Sequence, residues 1–421
     1  MKHKGTLGKL LLSSFLLLSG CGSAAVEETA TASPSASAES RPTPVPAVNA
    51  SYEPVNHSPE YGVWWSYIEY RSLCSEEDET AFRATVEEAV RNMQDLGINT
   101  IYIHAVAFTD ALYDSEIYPR SRYMPDTSYD PLAIFLEYVH AAGMHAEAWI
   151  NPMRSVAVGE EDLLTGNNPI RGWIDENNER VRPVSGRWYL NPAYPEVRQL
   201  IVSVVQELLS KYELDGIHMD DYFYPSGTEK KFDAYVYSTA QKENPDLTLE
   251  AFRVANVDQL VKEIHDAVKA VNPSIRFGIS PAGNNDNNHS LYYAYPEDWV
   301  AQGTVDYLIP QIYWGFLHPV KPYESTLQEW LKITEGSDVL LMPGLAAYSI
   351  GETYDLGSKK ANREWVTNDD MLERQTAMAL DTYGCSGVVY YSYSSLWAPT
   401  EDTKKIVENE IVHIKNYISS R

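Results

Sequence analysis

Asp220 and Asp221 are adjacent carboxylates in the run Asp215-Gly216-Ile217-His218-Met219-Asp220-Asp221-Tyr222-Phe223-Tyr224-Pro225, an apolar strand that ends in two acids and then aromatics. Side chains alternate along a strand. His218, Asp220 and Tyr222 therefore share one face, Met219 takes the other, and the chain is expected to turn near Asp221. A carboxylate at the end of a buried strand costs free energy unless it is paired or used. In a barrel of parallel strands, that end is where catalytic groups collect. Crowding two like charges raises the pKa of one and makes it a better acid. Glycoside cleavage uses such a group: an acid protonates the leaving oxygen, and a base, a nucleophile or an internal acetamido group acts from the other face. A helix-capping Asp pair is the structural alternative.

Glu147 lies in line with Trp149 and Asn151 on a candidate third strand. It is expected either as a further catalytic carboxylate or as an interior ion partner for His104, His145 or His218. Gln311, Tyr313 and His104 are read as strand-end groups on the inner face, suited to sugar hydroxyls or an N-acetyl carbonyl, or else to a buried network. Trp149, Trp314 and Trp397 stand near strand ends as stacking platforms or rim core. With Asn151, His218 and Tyr222 they complete the candidate substrate-binding set. Adjacent Asp residues beside His218 are poor zinc spacing, and no Cys/His spacing suggests a metal. No metal and no cofactor are expected.

These residues need a frame that aligns several strand ends. Strand patterns occur at 61–67, 99–106, 144–151, 216–222, 276–281, 305–314, 339–346 and 387–393, with helical periodicity between most of them. The stretch 195–212 is clearest, with Val197, Leu200, Ile201, Val204, Val205, Leu208 and Leu209 on one stripe. Further helices are expected at 78–96, 131–142, 256–270, 323–333, 369–383 and 402–418, and a shorter one at 292–302. Alternation of this kind predicts an α/β fold, a (β/α)8 TIM barrel, with an open doubly wound sheet as the alternative. No Gly-rich phosphate loop follows a strand. The long loops 152–193 and 224–255, after strands 3 and 4, are expected over the barrel mouth, where loops shape clefts.

The chain has 421 residues. Residues 1–20 read as a signal peptide: Lys2, Lys4 and Lys9 precede the apolar run Leu10 to Leu18, too short for a mature span. Leu18-Ser19-Gly20-Cys21 resembles a bacterial lipobox, which implies a lipid on Cys21; an ordinary secretory peptide is the alternative. Residues 21–58 carry that Cys and a Ser/Pro/Ala-rich segment unable to bury enough surface to fold. A coil of that length reaches roughly 35 Å. The folded domain is then expected over 59–421. The formal charge is −26, and −29 without the three leader lysines. Nucleic acid is therefore an unsuitable partner, and a polyanionic polymer would need a local basic patch. A neutral or weakly charged glycan suits the 30 Tyr and 10 Trp. Cys74 and Cys385 are expected at opposite ends of neighbouring strands, without a disulfide.

Tyr61-Gly62-Val63-Trp64, Ala148-Trp149-Ile150-Asn151-Pro152, Asn191-Pro192, the Asp215–Pro225 run, Gly278-Ile279-Ser280-Pro281 and Pro310-Gln311-Ile312-Tyr313-Trp314 occur in that order. Together they resemble the glycosyl hydrolase-like family ten proteins over about 61 to 396. The resemblance implies a (β/α)8 barrel in the bacterial cell envelope. Members include a divisome hydrolase of peptidoglycan strands stripped of stem peptides. One departure stands out: the family usually has His at the position of Glu147 and an acid at that of His145. A looser likeness to family eighteen chitinases matches Asp215 and Asp220 in spacing, but Tyr222 stands where their acid would be. The expectation is a lipid-anchored cell-envelope glycoside hydrolase of N-acetylated glycan. The alternatives are a non-catalytic carbohydrate-binding lipoprotein and a hydrolase of another polysaccharide.

Overall fold

A computed structural model of the chain describes residues 48–74, 78–124, 128–165 and 169–421. The segments expected as signal peptide and tether up to residue 47, with Cys21, lie outside the described residues.

Parallel strands alternate with helices around a closed sheet. The strands are β1 Glu60–Trp65, β2 Thr100–Val106, β3 His145–Ile150, β4 Gly216–Met219, β5 Arg276–Ile279 and β6 Tyr307–Leu308, then β7 in two pieces, Leu340–Leu341 and Gly344–Ala346, and β8 Gly387–Tyr391. β1 pairs with both β2 and β8, and the two pieces of β7 reach β6 on one side and β8 on the other. The result is the expected (β/α)8 barrel, with the strand stations where the alternation put them.

The outer strand face is apolar because helices cover it: Val63, Ile101, Ala148, Ile217, Phe277 and Val388 are fully buried. The covering helices begin and end on recognisable signals. Asp78 caps Glu79–Leu96 by accepting from Thr80 N, and that helix stops at Gly97 in the left-handed region, φ 92°. Asp130 caps Pro131–Ala141 in the same way, with Pro at its first turn. Pro195–Lys211 buries the stripe Val197, Ile201, Val204, Val205, Leu208 and Leu209. Each such side chain contributes about 1.5–3 kcal/mol of transfer free energy.

The inner face is polar at the N-terminal end of the strands. Arg276 Nη2 lies 2.7 Å from Glu60 Oε2 and 3.4 Å from Glu147 Oε1. Tyr102 OH donates to Glu60, and Tyr307 OH donates to Glu147. His145 Nε2 sits 2.8 Å from Glu147 Oε1. Burial works against the Arg276 charge, but Glu60 and Glu147 outweigh it and hold the guanidinium above its ordinary value. Two glycines make room for this cluster. A Cβ on Gly216 would stand 2.3 Å from the Glu147 carboxyl, and one on Gly278 2.2 Å from the Tyr307 ring. Glu147 is thus a fully buried ion partner at the closed end of the barrel. That corrects its expected catalytic role, because no substrate reaches it there.

The folded domain begins earlier than residue 59. Asn49 is fully buried. Its amide donates to the carbonyls of Leu209 and Tyr212, and its Oδ1 accepts from Leu214 N at 3.0 Å. Tyr52 OH and Val55 N both donate to Asp215 Oδ1, at 2.9 and 2.6 Å, and His145 Nδ1–H donates to Val55 O. Residues 48–58 close the barrel floor, so the tether assignment fails for them. Their polar side chains find partners in the strand-start loops, a source of order that composition does not register. Cys74 and Cys385 are free and buried.

The two insertions have their own structure. Arg154–Ala157, Val181–Val184 and Arg187–Leu190 form an antiparallel sheet after β3. Ala234–Glu243 is a helix after β4, and the following helix, Leu249–Val271, starts earlier than expected.

Candidate active site

β4 stops at Met219, but the chain keeps the strand course for one more residue. Asp220 N donates to Ile150 O at 3.4 Å, and Ser280 N donates to Met219 O at 2.8 Å. The chain then turns, with Phe223 N donating to Asp221 O at 3.0 Å. Asp220 therefore points inward above His218, and Asp221 follows it into the same open space. Asp220 Oδ1 accepts from Asp221 N at 2.8 Å and from Gln311 Nε2 at 3.0 Å. Gln311 Nε2 also donates to Ser280 O at 3.1 Å, which fixes the amide between β5 and β6.

The two acids open into a cleft of about 520 Å³ at the C-terminal end of the strands. Trp64, Trp149, Tyr222, Tyr292, Tyr313, Tyr348 and Tyr391 wall it. Asp220 is 7% exposed. Burial pushes its carboxyl well above the ordinary range, and the neighbouring Asp221 charge adds to the shift. Burial also raises Asp221, against hydrogen bonds from Asp220 and Gln311 that pull it down. Among the described residues neither acid makes an ion pair, in contrast to Glu60 and Glu147 below, although the nearby Arg154 charge draws both somewhat downward.

The expected binding residues divide by depth. Trp149, Tyr222, Gln311 and Tyr313 line the cleft. Trp314 lines an adjoining cavity of about 380 Å³, which shares Gln311, Tyr313 and Tyr348 with the cleft and adds Asn284, Asn287, Tyr354 and Trp365. His104, His218, Asn151 and Trp397 do not line either space. His104 is stacked 3.8 Å beneath Trp149, and burial holds it well below its ordinary pKa. His218 Nε2 accepts from Trp64 Nε1 at 3.1 Å, and its Nδ1–H donates to Tyr307 OH at 2.9 Å. Burial pushes its pKa down to about 3, so it is a neutral link between floor and network. Asn151 is buried at the end of β3, its amide 3.4 Å from Ala107 O. Trp397 packs on Tyr393 at 4.6 Å, on the helical layer outside the barrel. Each of these four is corrected from binding to support.

Among cleft residues not anticipated, Tyr391 continues the inward face of β8 two residues after Val389, a signal the strand period carries. Tyr292 ends a short helix and Tyr348 sits in a turn after β7, where no periodicity marks a side chain as inward. Among the described residues no three His, Cys, Asp or Glu side chains converge as a metal site.

A family model described as glycosyl hydrolase-like 10 matches residues 61–366. The chain belongs to this family. Glycosyl hydrolase YngK of Bacillus subtilis is 31% identical over 298 residues, covering 63% of this chain and 55% of that protein. The chain thus spans about half the length of that relative. Glycosyl hydrolase DigH of Escherichia coli is 29% identical over 316 residues, covering 69% of this chain and 70% of its own. Among solved structures, the PgaB (BpsB) glycoside hydrolase domain of Bordetella bronchiseptica superposes with a TM-score of 0.57 at 14% identity, covering 84% of this chain and 98% of that one. An endo-1,4-beta-mannanase of Rhizomucor miehei gives 0.53 at 8% identity, covering 86% and 96%. These last two likenesses concern the fold.

Proposed function

We propose that this protein is a glycoside hydrolase of N-acetylated glycan, acting on peptidoglycan strands without stem peptides and held in the cell envelope by a lipid on Cys21. The observation that carries the chemistry is the position of the cleft carboxylates. Asp220 and Asp221 are neighbours on one side of the cleft and within reach of one hydrogen bond. Retaining and inverting pairs instead flank the scissile bond, about 5–5.5 Å or 6.5–9.5 Å apart. Among the described residues no other carboxylate lines the cleft.

A pair on one side serves a reaction in which the substrate supplies its own nucleophile. Asp220, with its raised pKa, protonates the leaving glycosidic oxygen. The acetamido oxygen of the sugar attacks the anomeric carbon from the other face, and Asp221 accepts a hydrogen bond from the acetamido N–H as positive charge develops there. Water then opens the bicyclic intermediate, and Asp220 takes back a proton. Gln311 holds Asp220 in place, and the aromatic walls stack on sugar faces. The adjoining cavity provides room for further units of a polymer.

The test is incubation of the soluble domain with peptide-free strands, intact sacculi and chemically de-N-acetylated strands, with products read by mass analysis. Release of fragments from peptide-free strands is expected, with the de-N-acetylated ones cut at least about 10²-fold more slowly. Equal cleavage of both would overturn the acetamido route. For the location, Cys21→Ala is expected to release the protein from membranes, and persistent membrane association after signal removal would overturn the anchor.

A further inference from the structure

The loops after β5, β6 and β7 enclose the cavity of about 380 Å³ that shares Gln311, Tyr313 and Tyr348 with the cleft. Buried polar side chains hold its walls from behind. Asn288 accepts from Ala282 N at 3.1 Å and donates to Ala282 O at 2.9 Å. Trp330 Nε1 donates to Gly283 O at 2.8 Å, and Gln375 Nε2 donates to Trp314 O at 2.8 Å. Asn288, Trp330 and Gln375 are all fully buried. Gly283 lets the walls meet: a Cβ there would stand 2.2 Å from Gln311 O and 3.0 Å from the Trp314 ring. The surface is therefore shaped before a ligand arrives, which spares the ligand the cost of ordering it.

The lining suits a neutral sugar. Trp314, Tyr354 and Trp365 supply aromatic area, with a few polar groups among them, as in small-molecule sites generally. Among the described residues the Asn287 amide makes no hydrogen bond, and the Asn284 side chain only accepts from Asp286 N, at 3.3 Å. Both keep N–H groups for a ligand. Among the described residues no Lys or Arg lines the cavity. Burial lowers the pKa of His318 and leaves it neutral. The acid in the wall is Glu364, which is buried and accepts from Leu317 N at 3.0 Å. Burial raises its pKa, against its backbone hydrogen bonds and the charges of Arg374 and Lys360. A carboxyl without a lining cation accepts from sugar hydroxyls and works against an anionic unit.

Gln311 belongs to both spaces and holds the acid. Its Nε2 donates to Asp220 Oδ1 at 3.0 Å, which places Asp220 beside the junction. An acid that protonates a glycosidic oxygen must lie next to the bond that breaks. Asp220 and Asp221 both line the cleft, and neither lines the cavity. The sugar that reacts at its anomeric carbon therefore occupies the cleft, and the sugar across the junction is the one that leaves. We propose that the adjoining cavity binds the leaving sugar, a neutral hexosamine unit, with Trp314 as its platform and Asn287 as a hydrogen-bond donor. The glycan then runs toward its reducing end from the cleft, past Gln311, into the cavity. This role rests on the glycan-hydrolase function proposed above and gives its polymer a direction.

The test compares two substrates in the parent, Trp314→Ala, Trp314→Phe and Asn287→Ala. One is the peptide-free strand. The other is a short peptide-free oligosaccharide ending in an anomeric fluoride, which fills the cleft and puts only fluoride on the leaving side. Trp314→Ala should lower the ratio of kcat/KM, strand over fluoride, by about 3–10-fold, the scale of one aromatic contact. Trp314→Phe should keep part of that ratio. Asn287→Ala should lower it about fivefold, the scale of one hydrogen bond. Mass analysis of the strand products should find the neutral unit at each new non-reducing end. A ratio unchanged in Trp314→Ala and Asn287→Ala, whether both substrates slow together or neither does, overturns the leaving side while the hydrolase function stands. Carboxylate-bearing units at the new non-reducing ends overturn the neutral ligand. A parent that cuts neither substrate removes the hydrolase function. Calorimetric affinity for the strand then decides the cavity alone: a loss of about fivefold or more in Trp314→Ala supports a glycan site there, and parental affinity overturns it. Melting temperatures identify any variant that fails to fold, and the remaining ones carry the comparison.

Discussion

The barrel interior holds two pairs of carboxylates, and they live in opposite surroundings. Glu60 and Glu147, at the closed end, share the Arg276 guanidinium and accept from Tyr102 and Tyr307. Asp220 and Asp221, at the open end, have each other, one amide, an aromatic cleft and the Arg154 charge nearby, but no ion pair among the described residues. A buried charge that is paired and fully hydrogen-bonded belongs to structure. A buried carboxyl left without an ion pair shifts its pKa, and a shifted acid in a cleft is suited to move protons. The contrast separates architecture from chemistry within one polar core.

Removing the shared cation should have the largest effect. Arg276→Met leaves Glu60 and Glu147 buried without compensation and should cost about 3–5 kcal/mol, read from denaturant unfolding. Adding Glu147→Gln should restore part of that. Turnover by the folded fraction should stay within a few-fold of the parent. Lost turnover with intact stability would erase the distinction between the two ends.

The acid pair should behave in the reverse manner. Asp220→Asn or Asp221→Asn should lower kcat at least about 10²-fold, or about 2.7 kcal/mol of barrier. Glycan affinity should survive and stability should hold or rise, because one of two crowded charges is gone. Near-parental turnover in both variants would remove catalysis from this pair. If the parent shows no turnover and the variants lose affinity, the site is a binding module.

Asn49→Ala sharpens the structural side. It strips partners from two carbonyls and one N–H at the barrel floor and should cost about 2 kcal/mol, with kcat unchanged. A chain starting at residue 59 should lose more, because it also frees Asp215. Full stability of that shorter chain would return 48–58 to the tether.

The smallest effect is a pH dependence. The folded-state pKa of Asp220 lies above its unfolded value, so the stability linked to its proton is fully present below about 4 and is lost as pH rises through the raised value. Asp220→Asn removes that loss. The melting temperature of the variant should therefore gain on the parent as pH rises through this window, by on the order of 2 °C. Parental kcat should fall over the same window as the acid loses its proton, and the two carboxyls titrate as a pair. A difference in melting temperature independent of pH would place Asp220 among ordinary surface acids.

Much of this was legible in the chain itself. An outer strand face that must be apolar, helices that start on Asp and stop on Gly, and a period of two along each strand suffice to place eight strands and to put His218 and Asp220 on one face. Depth along the barrel was not legible. Glu147 and Trp149 are two residues apart on the same inward face, yet one is sealed in the ion cluster and the other walls the cleft. The pairing of Glu147 with Gly216 and of Trp149 with His218 sets those levels, and strand register across a closed sheet is a property of all its strands together. The same holds for Trp397, which the turn after β8 directs to the outer layer, and for Asn49, whose partners lie about 160 residues or more away in the chain.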